Sequence, residues 1–149
     1  MPRWKVKFLR RGVFCMSGTK EELTKNWLIK ANRDLLSARE LAKADIPLLD
    51  TAAYHCQQAA EKAIKAFLLF HDVRFEKTHD IEVLVLQAID VDPDFGVCLE
   101  TASILTPFAV EFRYPGDDVE PEADEYRDAF EAADSVYQFV LQKLPSVIL

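Results

Sequence analysis

The stretch AAYHCQQAAEKAIKAFLLF, residues 52–70, decides the fold, because its apolar side chains recur every three or four residues. This spacing predicts an α-helix over about residues 50–71 with one buried face. Small side chains occupy most of that face, so a neighbouring helix can approach closely, and aromatic rings fill a wider end of the core. The face comprises Ala52, Cys56, Ala59, Ala60, Ala63, Phe67 and Phe70.

The opposite face of this helix carries polar and charged side chains. Glu61 precedes Lys65 by four residues, which is the favourable order for an ion pair on a helix. The simplest interpretation is a solvated face with that one pair. The other members of the face are Tyr54, Gln58 and Lys62, with His55 at its edge.

Helical patterns also flank this segment on both sides. A first helix is predicted over residues 21–44, and a short third helix begins after Thr78 as its N-cap and ends near Ile89. A fourth is predicted over residues 94–112, kinked or shortened at Pro107 because proline cannot continue a helix interior.

The last helix should start at Pro121, a residue that favours the first helical position. A near-heptad seam then predicts lengthwise packing on one or two neighbours. Its members are Tyr126, Phe130, Ala133, Tyr137, Val140 and Leu144. Four long helices and one short helix predict an all-α fold, an antiparallel (up-and-down) bundle.

Charge divides the chain into two parts. The net charge is −7, yet residues 1–15 carry five basic groups and no acid, so the remainder carries −12 (−12 + 5 = −7). We expect residues 1–15 to be a poorly ordered extension and residues 16–149 to form the bundle domain. An acidic body excludes non-specific DNA binding, because affinity for phosphates comes from basic clusters.

Cysteine and histidine spacing argues against a metal site or a structural disulfide. Cys15, Cys56 and Cys98 lie far apart, which is typical of reduced thiols in a cytoplasmic protein, and the last two fall inside apolar helical patterns. The histidines show no ligand spacing, and no run is long and apolar enough to span a membrane. We therefore expect no metal, no cofactor and no membrane contact.

The stretch VRFEKTHDIEVL, residues 73–84, places Arg74 five residues before His79. On one continuous helix these side chains would point about 140° apart. A predicted break between the second and third helices lets them converge. An imidazole and a guanidinium together suit phosphate chemistry without a metal. Alternatively, His79 begins the third helix and only hydrogen-bonds a neighbour.

Three stretches together resemble the HEPN family (higher eukaryotes and prokaryotes nucleotide-binding). They are AAYHCQQAAEKAIKAFLLFHDV at 52–73, KTHDIEVL at 77–84 and FRYP at 112–115, followed by an acidic amphipathic helix. The resemblance implies a helical bundle that is often dimeric. It further implies a minimal nucleotidyltransferase partner of the toxin–antitoxin type and, in several branches, a metal-independent RNase with an Arg-x(4–6)-His motif.

Mapped onto this sequence, the RNase chemistry would use His79 as general base and Arg74 or Arg113 to stabilise charge on the phosphate. Nucleotide or phosphate contacts would come from Lys65, Lys77, Tyr114 and Glu61. Two departures weigh against catalysis. The motif lies between helices two and three rather than late in the domain, and Ile81 stands where a His-x-Tyr motif has the tyrosine that accepts AMP.

These observations favour a module that dimerises and binds a nucleotide, an RNA or a nucleotidyltransferase partner. A metal-independent RNase is the first alternative. A bundle that serves assembly alone is the second.

Overall fold

A computed structural model describes residues 18–75, 77–109 and 120–149. These residues form five α-helices and two 3₁₀ turns, and no strand occurs among them. The all-α antiparallel bundle is therefore confirmed. The helices are α1 (Lys20–Lys43), α2 (Leu49–Phe70), α3 (Ile81–Val91), α4 (Cys98–Leu105) and α5 (Ala123–Lys143), with 3₁₀ turns at Pro93–Val97 and Thr106–Ala109.

Helix α2 lies at the centre of the bundle and contacts α1, α3 and α5. Its alanine-rich face is buried as the sequence predicted, apart from the half-buried Phe70 at its end, since close helix packing needs small side chains there. The seam of α5 turns towards the same core, where Ala133, Val140 and Leu144 are buried. The Tyr126 hydroxyl donates to the Ala38 carbonyl oxygen at 3.2 Å, which joins the start of α5 to the end of α1.

Capping residues fix where the helices begin and correct two predictions. Thr19 and Glu22 form a capping box at α1, close to the expected start. Asp80, not Thr78, is the N-cap of α3, and the Thr78 hydroxyl instead accepts from the Asp80 N–H at 3.0 Å. Pro121 precedes α5 rather than opening it, because Glu122 supplies the N-cap and its own capping box.

The fourth predicted helix is divided into three parts. A 3₁₀ turn begins it, α4 covers Cys98–Leu105, and a second 3₁₀ turn covers Thr106–Ala109. The α-helix ends immediately before Thr106-Pro107, consistent with the missing proline N–H. Residues 110–112 of the predicted helix and the basic extension at 1–15 lie outside the described residues.

The connection from α2 to α3 turns sharply at the end of α2. Asp72 adopts a left-handed conformation with φ of 60°. Its N–H donates to the Leu69 carbonyl, and the Val73 N–H donates to the Leu68 carbonyl, which together form a Schellman motif. After this turn, Thr78 and His79 contact the polar face of α2.

His71, at the same end of α2, should make stability depend on pH. Its ring lies 4.4 Å from the Phe67 ring, and burial followed by the nearby Lys20 charge lowers its pKa. Because the unfolded chain then binds a proton more readily, stability should be constant above pH ~6.5 and fall as the pH decreases below it. Urea unfolding from pH 7.5 to 5 should show this slope, and His71→Gln should reduce it. An unchanged slope in the variant would contradict the assignment.

Candidate functional site

The polar face of α2 is covered around Glu61 and Lys65 and only half-buried elsewhere, which corrects the sequence interpretation of a solvated face. Glu61 and Lys65 are 4% and 7% exposed, and Gln57 is fully buried. Residues 77–80 of the α2–α3 connection lie over them. The Gln57 amide donates to the His79 carbonyl at 2.9 Å, and the Lys65 ammonium donates to the Thr78 carbonyl at 3.1 Å. The helical spacing correctly placed Glu61 and Lys65 on one face of α2, but it did not show which segment covers them.

Glu61 is the centre of this buried network. One carboxylate oxygen accepts from the Lys65 ammonium at 2.6 Å. The other lies 3.2 Å from the Gln57 amide, 3.3 Å from the Gln58 amide and 3.2 Å from His79 Nδ1. Burying a carboxylate is costly unless its oxygens are paired, and here each oxygen has partners.

Lys65 is enclosed within the bundle. Its ammonium lies 5.9 Å from the Trp27 ring centre and 5.5 Å from that of Phe75, in addition to its bonds to Glu61 and the Thr78 carbonyl. A lysine placed between two rings and a carboxylate stabilises the connection against α1 and α2. Glu61 and Lys65 were predicted to contact a nucleotide. They are instead buried beneath the α2–α3 connection and hold Thr78 and His79 in place.

His79 extends from this network to the surface. Its side chain is 72% exposed, although its Nδ1 is tied to the buried Glu61 carboxylate. Pairing one ring nitrogen with a carboxylate fixes the ring and leaves the other nitrogen, Nε2, directed away from that contact. His79 does hydrogen-bond a neighbour, which lies 18 residues earlier in the chain, but it precedes the N-cap of α3 instead of lying in the first turn of that helix.

The other sequence-predicted residues are only partly placed. The break between Arg74 and His79 is present, since residues 71–75 and 77–80 are not helical. Arg74 is exposed and its carbonyl oxygen accepts from the Gln87 amide at 3.3 Å, but no described hydrogen bond joins its guanidinium to His79 or Glu61. Lys77 is exposed beside His79 in sequence. Arg113 and Tyr114 lie outside the described residues.

A second polar cluster joins α1 to α2. The Asp34 carboxylate, 11% exposed, lies 2.9 Å from His55 Nδ1 and accepts from the Lys62 ammonium. The sequence did offer a signal for it. Asp34 occurs among the buried positions of α1, between Ala31 and Ala38, where an acidic residue needs a partner.

The cysteines behave as small core residues. Cys56 and Cys98 are buried free thiols, as predicted. Burial raises the pKa of Cys56 to about 12 and that of Cys98 to about 11, so neither forms a nucleophilic thiolate near neutral pH. Within residues 18–75, 77–109 and 120–149, no group of three or more histidine, cysteine or acidic side chains is arranged to hold a metal ion. Within those same ranges, no helix could cross a membrane.

The comparison with protein families matches residues 24–144 to the HEPN domain. The chain belongs to the HEPN family. The matched range includes nearly all of α1, all of α2 to α4 and all of α5, so both polar clusters of α2 fall within the HEPN domain.

Solved structures agree with this assignment. TT1696 from Thermus thermophilus is 28% identical, with a TM-score of 0.64, and the match covers 81% of this chain and 98% of that one. ST0689, described as an archaeal HEPN homologue, is 26% identical, with a TM-score of 0.62 and coverage of 80% and 96%. No curated protein matched the chain. Membership of the HEPN family supports the interpretation of this chain as a helical module associated with nucleotides or RNA.

Proposed function

We propose that this HEPN protein binds a nucleotide or RNA, with a phosphate or ribose contacting the outer edge of His79. The observation that carries the proposal is an exposed imidazole fixed from below by a buried carboxylate. A side chain held in one orientation loses little conformational entropy when a ligand binds. Arg74 and Lys77 lie on the same connection and are exposed, so they are suited to add phosphate contacts.

The sequence also leads us to propose a homodimer that acts with a minimal nucleotidyltransferase in a toxin–antitoxin pair, located in the cytoplasm. The HEPN family supports the dimer and the partner. The wide spacing of the cysteines supports the cytoplasmic location. Ile81 occupies the place of the tyrosine that accepts AMP in some relatives of this type, and it is fully buried. Any action of such a partner would therefore occur without adenylylation at this position. Arg113 and Tyr114 remain predicted contacts.

Removal of the His79 imidazole should weaken ligand binding. We expect His79→Ala to lower the affinity for a ribonucleotide or short RNA about tenfold, the effect of losing one well-positioned polar contact. Titration calorimetry with the four ribonucleoside triphosphates and a short oligoribonucleotide would measure this. Lys43→Gln, which removes an exposed charge at the end of α1, is the matched control and should bind normally. Equal affinity in His79→Ala and wild type would exclude this site.

A metal-independent RNase is the second candidate, and the His79–Glu61 pair is the observation that favours it. A carboxylate that orients an imidazole is the usual support for a general base, which here would take the proton of a ribose 2′-hydroxyl. Cleavage of RNA in EDTA, lost in His79→Ala but with the helical circular dichroism spectrum retained, would establish the activity. If Arg74→Ala cleaves normally, Arg113 becomes the expected phosphate stabiliser. Absence of cleavage and of binding by wild type would leave an assembly bundle.

A further inference from the structure

The two polar clusters of α2 share one arrangement. In each, a buried acidic residue is paired with a lysine and with the Nδ1 of a histidine. Glu61 is paired with Lys65 and His79, and Asp34 is paired with Lys62 and His55. Both acidic residues are buried, whereas both imidazoles reach the surface, with 28% of the His55 side chain exposed.

The clusters lie next to each other along the surface of α2. His55, Gln58 and Lys62 are spaced by three and four residues, so they form one stripe on the helix. Gln58 connects the clusters, because its amide contacts Glu61 at 3.3 Å while its neighbours along the stripe both contact Asp34. His55 precedes Glu61 by six residues, a rise of about 9 Å along the helix axis.

We infer that Asp34, His55 and Lys62 form a second contact for the same ligand, and that the ligand is single-stranded RNA rather than a mononucleotide. This inference rests on the proposed function of His79. His55 and Glu61, the residue that holds His79, are about 9 Å apart along the axis of α2, so we expect linked nucleotides rather than one phosphate to contact both imidazoles. Grooves that follow a nucleic-acid backbone combine such polar contacts with aromatic surfaces, and the half-buried Tyr54 ring lies 5.9 Å from that of His55.

The chemistry of the second cluster suits a ribose phosphate. With Nδ1–H donating to Asp34, a neutral imidazole presents Nε2 as an acceptor for a ribose 2′-hydroxyl. When the ring is doubly protonated, Nε2–H donates to a phosphate oxygen instead. The Lys62 side chain is 23% exposed, and its ammonium, which offsets the Asp34 charge, has further protons to donate. Both states therefore recognise RNA, and the neutral state selects it over DNA.

The test compares ligand lengths. Wild type is expected to bind an oligoribonucleotide of about six residues at least tenfold more tightly than a mononucleotide, and more tightly than DNA of the same sequence. His55→Gln, which keeps an amide donor for Asp34, and Lys62→Gln should each remove most of that gain while leaving mononucleotide binding at His79 unchanged. Lys43→Gln should retain the gain, and thermal unfolding would verify that each variant is folded.

The possible results test the second contact, the recognition of ribose and the proposed function separately. Mononucleotide binding with no gain for the longer RNA would overturn the second contact but leave the proposed function in place. A gain that survives in both His55→Gln and Lys62→Gln would overturn it as well. Equal affinity for RNA and DNA would show that the ribose 2′-hydroxyl is not recognised, and it would overturn the choice of RNA as the ligand. If wild type binds none of these ligands, the proposed function itself fails, together with this inference.

Discussion

Glu61→Gln is expected to lower the free energy of unfolding by about 3 kcal/mol, a large part of the total stability of a single domain. The substitution leaves the Lys65 ammonium without its carboxylate, on a residue that is only 7% exposed. Removing one partner of a buried pair typically costs about 3–5 kcal/mol, because the remaining charge is neither solvated nor paired. We expect the lower end of that range, since the Thr78 carbonyl and two aromatic rings still face the ammonium.

Urea denaturation of the variant beside wild type would measure this loss, and the melting temperature should fall by roughly 6–12 °C. The matched control is the double variant Glu61→Gln with Lys65→Met, which removes both charges and should recover most of the stability. A loss in the double variant as large as in the single one would show that the buried charge is not the cause. Glu61→Gln should also weaken ligand binding, because His79 loses its anchor.

The helices could be predicted from the sequence because their signals are local. The alanine face of α2 and the seam of α5 follow from spacing within one helix, and both turn towards the core. Thr78 and Pro121 were assigned wrongly as helix starts because a neighbouring residue, Asp80 or Glu122, made the better cap. Such competition between adjacent capping residues depends on backbone geometry that composition does not fix.

The site was predicted less completely, for a different physical reason. His79 could be selected from its residue type and the break before it, but its partner lies 18 residues earlier on another element. A helix wheel shows which side chains share a face, not which segment covers that face. Hence Glu61 and Lys65 were placed correctly on α2 and wrongly in solvent. Asp34 was overlooked because its partners are on α2, 21 and 28 residues later.

Phe95→Ala is expected to cost about 3–5 kcal/mol of unfolding free energy. Phe95 is fully buried although it belongs to the short 3₁₀ turn between α3 and α4. Its ring lies 4.3 Å from that of Phe67 on α2 and 4.9 Å from that of Phe139 on α5. Loss of the ring removes contacts to both helices and leaves a cavity that the surrounding helices can fill only in part.

The matched control is Phe70→Ala, a half-buried ring at the end of α2, which should cost clearly less than Phe95→Ala in the same urea titration. Because no described hydrogen bond or ring contact joins Phe95 to the Glu61 network, molecules of Phe95→Ala that remain folded should bind RNA with wild-type affinity. Glu61→Gln, in contrast, should lose stability and affinity together. A loss of affinity in folded Phe95→Ala would mean that the core and the polar face of α2 are coupled, and that the orientation of His79 depends on more than its carboxylate.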